Sequence, residues 1–161
     1  MDIFAYAMQM EKDGECFYRE IAGNADSTGI KRILTMLADE EVKHYKAIEK
    51  MQQGRPGQMA ETSVLDQARN VFVQMKEEGG EFTPDLEQIE LYEKAQEIEK
   101  RSRQFYEEKA AQAGRDDQKQ LFERLAVEEA KHYFLLENLI DFVSRPGQWL
   151  ENAEWHHLEE Y

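Results

Sequence analysis

The chain has 161 residues, of which 41% are hydrophobic and 34% are charged, and its formal net charge is −14. This size and composition predict one globular domain over residues 1–161, and the negative charge argues against nucleic acid or an anionic membrane surface as a partner. The single cysteine, Cys16, excludes an intrachain disulfide and a four-cysteine metal site built from this chain alone.

Hydrophobic residues recur at helical spacing along most of the chain. In chain order, the predicted helices cover about residues 2–25, 27–53, 60–76, 84–113 and 116–143, and a short helix is expected in the C-terminal tail. The first helix begins with a short hydrophobic stretch that runs directly into Glu11 and Lys12. We interpret this stretch as part of the mature protein rather than as a signal peptide, and we therefore expect a cytoplasmic protein.

An internal repeat with an offset of 88 residues, the distance from His44 to His132, relates the two halves of the chain. The hexapeptide EEVKHY at 40–45 returns as EEAKHY at 128–133. The same offset aligns Glu11-Lys12 with Glu99-Lys100 and Phe17-Tyr18 with Phe105-Tyr106. The repeat predicts two copies of one helical hairpin, joined by a long crossover that contains the short third helix.

The Glu-x-x-His pairs of the repeat occupy hydrophobic stripes of their helices. Glu41 and His44 continue the helical spacing of Ile30, Ile33, Leu37, Ile48 and Met51, and Glu129 and His132 do the same among Leu121, Leu125, Leu136 and Leu139. Glu40 and Glu128 fall one residue off these stripes, and we predict that they face solvent. Cys16 and the methionines Met8, Met10, Met36 and Met51 are interpreted as core residues.

Burying several carboxylates together without compensation would be strongly unfavourable, and metal cations would remove that cost. Residues three apart on a helix can offer a carboxylate and an imidazole to one ion. Two such pairs facing each other predict a two-metal site, with Glu41 and Glu129 bridging, Glu11 and Glu99 terminal, and His44 and His132 on one ion each. An oxygen-rich set of donors that includes nitrogen favours iron or manganese.

This pattern resembles the ferritin-like di-iron carboxylate proteins, and in particular their rubrerythrin-like branch, which takes one Glu from each of two helices and Glu-x-x-His from each of the other two. The resemblance implies an all-α ferritin-like four-helix bundle and two bound iron ions, with manganese or a mixed pair left open. The implied ligands are Glu11, Glu41, His44, Glu99, Glu129 and His132. Tyr18 and Tyr106 are either hydrogen-bond donors to ligand carboxylates or ordinary core tyrosines.

The sequence departs from rubrerythrins proper at Ser102, where they carry a further glutamate that moves on and off iron. Glu15 is an alternative source of that carboxylate. A rubredoxin-type iron site is also missing from these residues, so we expect a separate protein to supply electrons. The resemblance implies reduction of hydrogen peroxide or reaction with dioxygen in oxidative-stress defence, in a homodimer. The alternatives are a ferroxidase or iron-handling protein and a structural metal-binding bundle without catalysis.

Two groups in the C-terminal tail have simpler interpretations. His156 and His157 are adjacent, so their side chains diverge on a helix, and we interpret them as surface or interface residues. The aromatic residues Trp149, Trp155 and Tyr161 are expected to pack against the bundle or against a second subunit.

Overall fold

The computed structural model describes residues 2–57, 59, 62–79 and 86–145. These residues form five helices: α1 (Ile3–Gly23), α2 (Thr28–Gln52), α3 (Val64–Glu78), α4 (Leu86–Gln112) and α5 (Asp116–Ser144). The predicted bounds agree to within a few residues, and the largest difference is the start of α3, predicted at 60 and found at Val64. The described part of the chain contains no strand, which confirms the all-α prediction. The tail, with its predicted short helix, its aromatic residues and its two histidines, lies outside the described residues.

Local side-chain and backbone chemistry explains several helix ends. The Asp2 carboxylate accepts a hydrogen bond of 2.8 Å from the backbone N–H of Ala5, and so caps the start of α1. The Ser27 hydroxyl accepts one of 3.4 Å from the backbone N–H of Ile30 at the start of α2. Gly79 ends α3 with a φ of 69°, a left-handed conformation that suits glycine.

The helices pack as two hairpins, α1 with α2 and α4 with α5. The hairpins meet through α2 against α5 and α1 against α4, and α3 lies against both α2 and α5. Two hydrophobic clusters fill the interior, one around Leu37, Phe72 and Leu136 and the other around Ile48 and Leu125. None of the described helices combines the length and hydrophobicity that a membrane crossing requires.

The prediction that Glu40 and Glu128 face solvent is wrong, because their exposed fractions are 4% and 0%. Each of the helices that carry them is covered on several sides: α2 contacts α1, α3 and α5, and α5 contacts α4, α3 and α2. The buried arc of each helix is therefore wider than the hydrophobic stripe alone indicates. Glu40 pairs with Lys43, whose side chain is exposed, and Glu128 pairs with the buried Lys131.

Cys16 is exposed, so its interpretation as a core residue is also wrong. It lies on α1 between Glu11 and Tyr18, which share the buried face, and its own position turns away from that face. Met51 is buried as predicted, whereas Met8, Met10 and Met36 are half-buried and pack against the edges of the clusters.

Candidate metal centre

Four helices bring the six predicted ligands into the boundary between the two hydrophobic clusters. On α1, Glu11 lies between Ala7 of one cluster and Tyr18 of the other, and on the other three helices the predicted ligands likewise lie between residues of the two clusters. None of the six residues is more than 4% exposed: Glu11, Glu41, His44, Glu99, Glu129 and His132. The site is a polar layer that divides an otherwise hydrophobic interior.

The donor atoms form two overlapping groups, and within each group the atoms lie within 4.8 Å of one another. One group consists of Glu11, Glu41, His44 and Glu129, and the other of Glu41, Glu99, Glu129 and His132. Glu41 and Glu129 belong to both groups. This arrangement suits two cations that share the two carboxylates of the Glu-x-x-His motifs.

The imidazoles approach the carboxylates with the same symmetry. His44 Nδ1 lies 3.3 Å from Glu11 Oε2 and 3.2 Å from Glu129 Oε1. His132 Nδ1 lies 3.2 Å from Glu41 Oε1 and 3.5 Å from Glu99 Oε1. The two rings are nearly parallel, at 6°, with their centroids 5.4 Å apart. Each histidine therefore presents Nδ1 to a glutamate from each of the two hairpins.

Two buried tyrosines cross between the hairpins. Tyr18 on α1 donates a hydrogen bond of 2.5 Å to Glu99 Oε1 on α4. Tyr106 on α4 donates one of 2.5 Å to Glu11 Oε1 on α1. Each hydroxyl thus fixes the terminal glutamate of the opposite hairpin, and it holds one carboxylate oxygen only.

Several further polar atoms of the layer are buried without hydrogen-bond partners among the described residues. They are Glu11 Oε2, Glu99 Oε2, Glu41 Oε1, Glu129 Oε1 and both ring nitrogens of His44 and His132. An unsatisfied buried polar atom typically costs about 1–3 kcal/mol, so a cluster of them requires a compensating group. Metal ions fit this donor set, because each carboxylate oxygen and each Nδ1 has a lone pair available.

The pKa values of the buried glutamates and of His44 reflect the crowding of charged groups in this layer. Burial and the negative charges of Glu11 and Glu99 raise the pKa of Glu41 well above its usual value. Burial alone would raise the pKa of Glu11, but the positive charge of His44, together with the hydrogen bond from Tyr106, lowers it to about 2. Burial alone would lower the pKa of His44, but the charge of Glu11 outweighs it and raises that pKa. The metal-free site therefore retains protons that bound cations would displace.

The pKa of each tyrosine is raised well above its usual value, by burial first and then by the carboxylate that it contacts, Glu99 for Tyr18 and Glu11 for Tyr106. Both hydroxyls consequently remain protonated near neutral pH and act as hydrogen-bond donors.

Glu15 lies outside both groups of donors. Its Oε2 accepts a hydrogen bond of 2.7 Å from Arg19 Nε, and its Oε1 lies 3.7 Å from Lys12 Nζ. The Glu15 carboxylate therefore lies beside cationic side chains of α1 and outside the buried layer.

Gly14 was not among the predicted site residues, although it contacts the site. A Cβ atom at this position would lie 3.0 Å from Glu41 Oε2, so the glycine leaves the room that this carboxylate occupies. The offset of 88 residues aligns Gly14 with Ser102. That alignment was the signal in the sequence, because both small residues follow a predicted terminal glutamate by one helical turn.

A protein-family model described as Rubrerythrin matches residues 2–140. Searches of curated proteins and of solved structures returned no significant match. The matched range contains the first hairpin, the crossover, α4, α5 as far as Ile140 and all six predicted ligands, and with the five helices it confirms the ferritin-like bundle. The chain belongs to the rubrerythrin family.

Proposed function

We propose that this protein is a non-haem di-iron carboxylate protein that reduces hydrogen peroxide or reacts with dioxygen in defence against oxidants. The observation that carries the proposal is the pair of overlapping donor groups, in which Glu41 and Glu129 belong to both. Four carboxylates and two imidazoles form an oxygen-rich set that suits iron, with manganese or a mixed pair as the alternative metal content. Membership of the rubrerythrin family supports iron.

In this proposal Glu11 and His44 hold one ion, Glu99 and His132 hold the other, and Glu41 and Glu129 are shared. Bound iron would supply the electrons that reduce peroxide or dioxygen. The protein contributes fixed positions: the two tyrosines orient the terminal glutamates, and the hydrophobic clusters on both sides of the layer exclude bulk water. Gly14 leaves space for the shared carboxylate of Glu41.

Ser102 distinguishes the proposed site from that of rubrerythrins proper. The serine is half-buried one turn after Glu99 and offers a short hydroxyl in place of a carboxylate. Glu15, the other candidate for an exchanging ligand, is engaged by Arg19. We therefore propose that the same six side chains hold the metals in the oxidised and reduced states, and that a separate rubredoxin-type protein donates the electrons. The cytoplasmic location and the homodimer stay predictions from the sequence.

Anaerobic purification followed by metal analysis and two activity measurements tests the proposal. Two iron ions per chain, with peroxide turnover when a reduced rubredoxin-type donor is added, is the expected result. Rapid oxidation of added Fe²⁺ by dioxygen without peroxide turnover would favour a ferroxidase or iron-handling protein instead. Bound metal with neither activity would favour a structural role, and a chain that binds no metal would overturn the proposal.

A further inference from the structure

The buried glutamates that precede the two shared carboxylates are twins in the repeat, but their surroundings differ. Glu128 is fully buried on α5, and its Oε2 accepts a hydrogen bond of 2.7 Å from the Thr62 hydroxyl. Its Oε1 lies 3.3 Å from the ammonium of Lys131, whose side chain is only 8% exposed. Arg124 adds a looser contact at 3.9 Å. Both oxygens of Glu128 are thus engaged within the protein.

Glu40, its twin on α2, is held less completely. Its Oε1 lies 3.4 Å from the ammonium of Lys43, whose side chain is 60% exposed and therefore well hydrated. Its Oε2 is buried and accepts no hydrogen bond within the part of the chain that the structure describes. The same glutamate is consequently anchored by a buried network in one hairpin and by a single solvent-facing lysine in the other.

Thr62 makes this difference important for the site, because it belongs to the crossover and lies two residues before α3. Its hydrogen bond connects the crossover to the turn of α5 that contains Glu129 and His132. Because both carboxylate oxygens of Glu128 are held, the helical turn that carries it has less freedom to shift or rotate. The groups that orient a metal ligand in this way affect affinity even though they do not touch the metal.

We propose that Glu128 is a positioning residue that, with Thr62 and Lys131, fixes the turn presenting Glu129 and His132. This inference rests on the proposed metal site. It makes the two metal positions unequal: the position that uses His132 is preorganised and binds more tightly than the position that uses His44. The two halves of the repeat therefore supply equivalent donors, but the residues that hold those donors in place differ between the halves.

Anaerobic titration of the metal-free full-length chain with Co²⁺ alone tests the proposal, because the visible absorption of Co²⁺ reports the coordination at each position. The natural chain is expected to bind two Co²⁺ in two unequal steps. Thr62→Val removes the hydroxyl donor with little change in shape, and it should weaken the tighter step about 10-fold and alter its spectrum. Thr62→Ser, which restores the hydroxyl, should restore both the affinity and the spectrum.

Glu128→Ala and Glu40→Ala form a second, matched pair of variants. Glu128→Ala should weaken the tighter step, and Glu40→Ala should leave that step and its spectrum unchanged. Equal behaviour of the two alanine variants, or a Thr62→Val protein that titrates like the natural chain, would overturn the positioning role while leaving the two-metal site intact. A natural chain that binds no Co²⁺ would overturn the proposed function and this inference with it.

Discussion

The two hairpins have equivalent donors but different supports. In both, the first helix contributes one glutamate and a tyrosine that crosses to the other hairpin, and the second contributes Glu-x-x-His. The residues around the donors do not follow the repeat as closely: Gly14 stands where the second hairpin has Ser102, and Glu40 lacks the threonine partner of Glu128. The comparison shows that side chains directed at the common centre are alike in the two halves, whereas those that hold them in place differ.

The outer faces of the hairpins differ in the same way. Arg19 on α1 reaches both Glu15 on its own helix, at 2.7 Å, and Asp39 on α2, at 3.1 Å. The equivalent of Asp39 is Val127, and Arg103 on α4 contacts only Glu107 of the same helix among the described ion pairs. Surface pairs of this kind typically contribute about 0–1 kcal/mol, so the difference affects local rigidity more than overall stability. In the first hairpin the Arg19–Asp39 pair therefore joins the two helices, and in the second hairpin Glu128 of α5 accepts a hydrogen bond from Thr62 of the crossover.

The largest expected effect concerns Glu41 and Glu129, which are equivalent in the two hairpins. Glu41→Ala and Glu129→Ala each remove a carboxylate that both donor groups share, so each should lower the metal content from two ions per chain to one or fewer. Glu40→Ala and Glu128→Ala should keep both ions, since neither residue belongs to a donor group. Metal analysis of the four purified variants provides the measurement, and equal losses across all four would show that the shared positions are wrongly assigned.

The crossed tyrosines give the next largest effect. Tyr18→Phe and Tyr106→Phe each remove the hydroxyl that, among the described residues, donates to a terminal glutamate, and each should weaken metal binding about 10–100-fold. Because the two hydrogen bonds have the same length and equivalent positions, the two variants should lose similar affinity. Competition with a chelator measures both losses, and a large difference between them would extend the asymmetry of the hairpins to the terminal ligands.

Gly14→Ala tests whether the first hairpin needs a glycine at the position where the second hairpin has Ser102. The new methyl group would approach Glu41 Oε2 to 3.0 Å, so the carboxylate must shift and the metal affinity should fall several-fold. Alanine also favours a helix interior over glycine by about 0.5–1 kcal/mol, so the metal-free fold should become slightly more stable. Denaturant unfolding and metal titration are expected to change in opposite directions, and Ser102→Ala serves as the matched control. A parallel loss of both quantities would contradict the specific contact with Glu41.

The smallest effect concerns pH and the metal-free protein. The folded-state pKa values of Glu41 and His44 are raised above 4.5 and 6.5, so the folded chain holds protons that the unfolded chain has released. The free energy of unfolding should therefore fall as pH rises from about 5 to 8. The lowered pKa of Glu11 acts in the other direction only at lower pH, where its stabilisation is lost between 4.5 and about 2.

Metal-loaded protein should show the opposite trend over the same range, because ions displace these protons and bind more tightly as pH rises. Unfolding curves of both forms at several pH values provide the measurement. If the two forms responded to pH in the same direction, the protons of the metal-free site would not be the ones that metals displace.

The helices and the burial of the six predicted ligands could be predicted because both follow from sequence periodicity and short motifs. A period of 3.6 residues, one repeat offset and two Glu-x-x-His motifs suffice to place Glu41 and His44 on a buried stripe, and the structure shows them there. The burial of Glu40 and Glu128 was not predictable in this way. It depends on how many neighbours cover α2 and α5, and this number is a property of the assembled bundle.

Other features were missed because they depend on contacts between distant parts of the chain. Thr62 and Glu128 are 66 residues apart, and no motif in the crossover marks the threonine as a partner. Gly14 matters only because Glu41 of the next helix approaches it. The tyrosines were recognised as candidates, but their sequence positions could not reveal that each one serves the glutamate of the opposite hairpin.

The crossed hydrogen bonds carry a consequence for the origin of the protein. Tyr18 has its acceptor in the other hairpin, and His44 contacts one glutamate in each hairpin, so in a hairpin on its own the tyrosine loses its acceptor and the histidine loses one of its two glutamate contacts. Two identical copies of a single ancestral hairpin, related by a two-fold axis, would supply each other with these groups. Such a dimer of half-length chains would contain the same set of donors, and joining the two copies in one chain lets the residues around the donors differ between the halves.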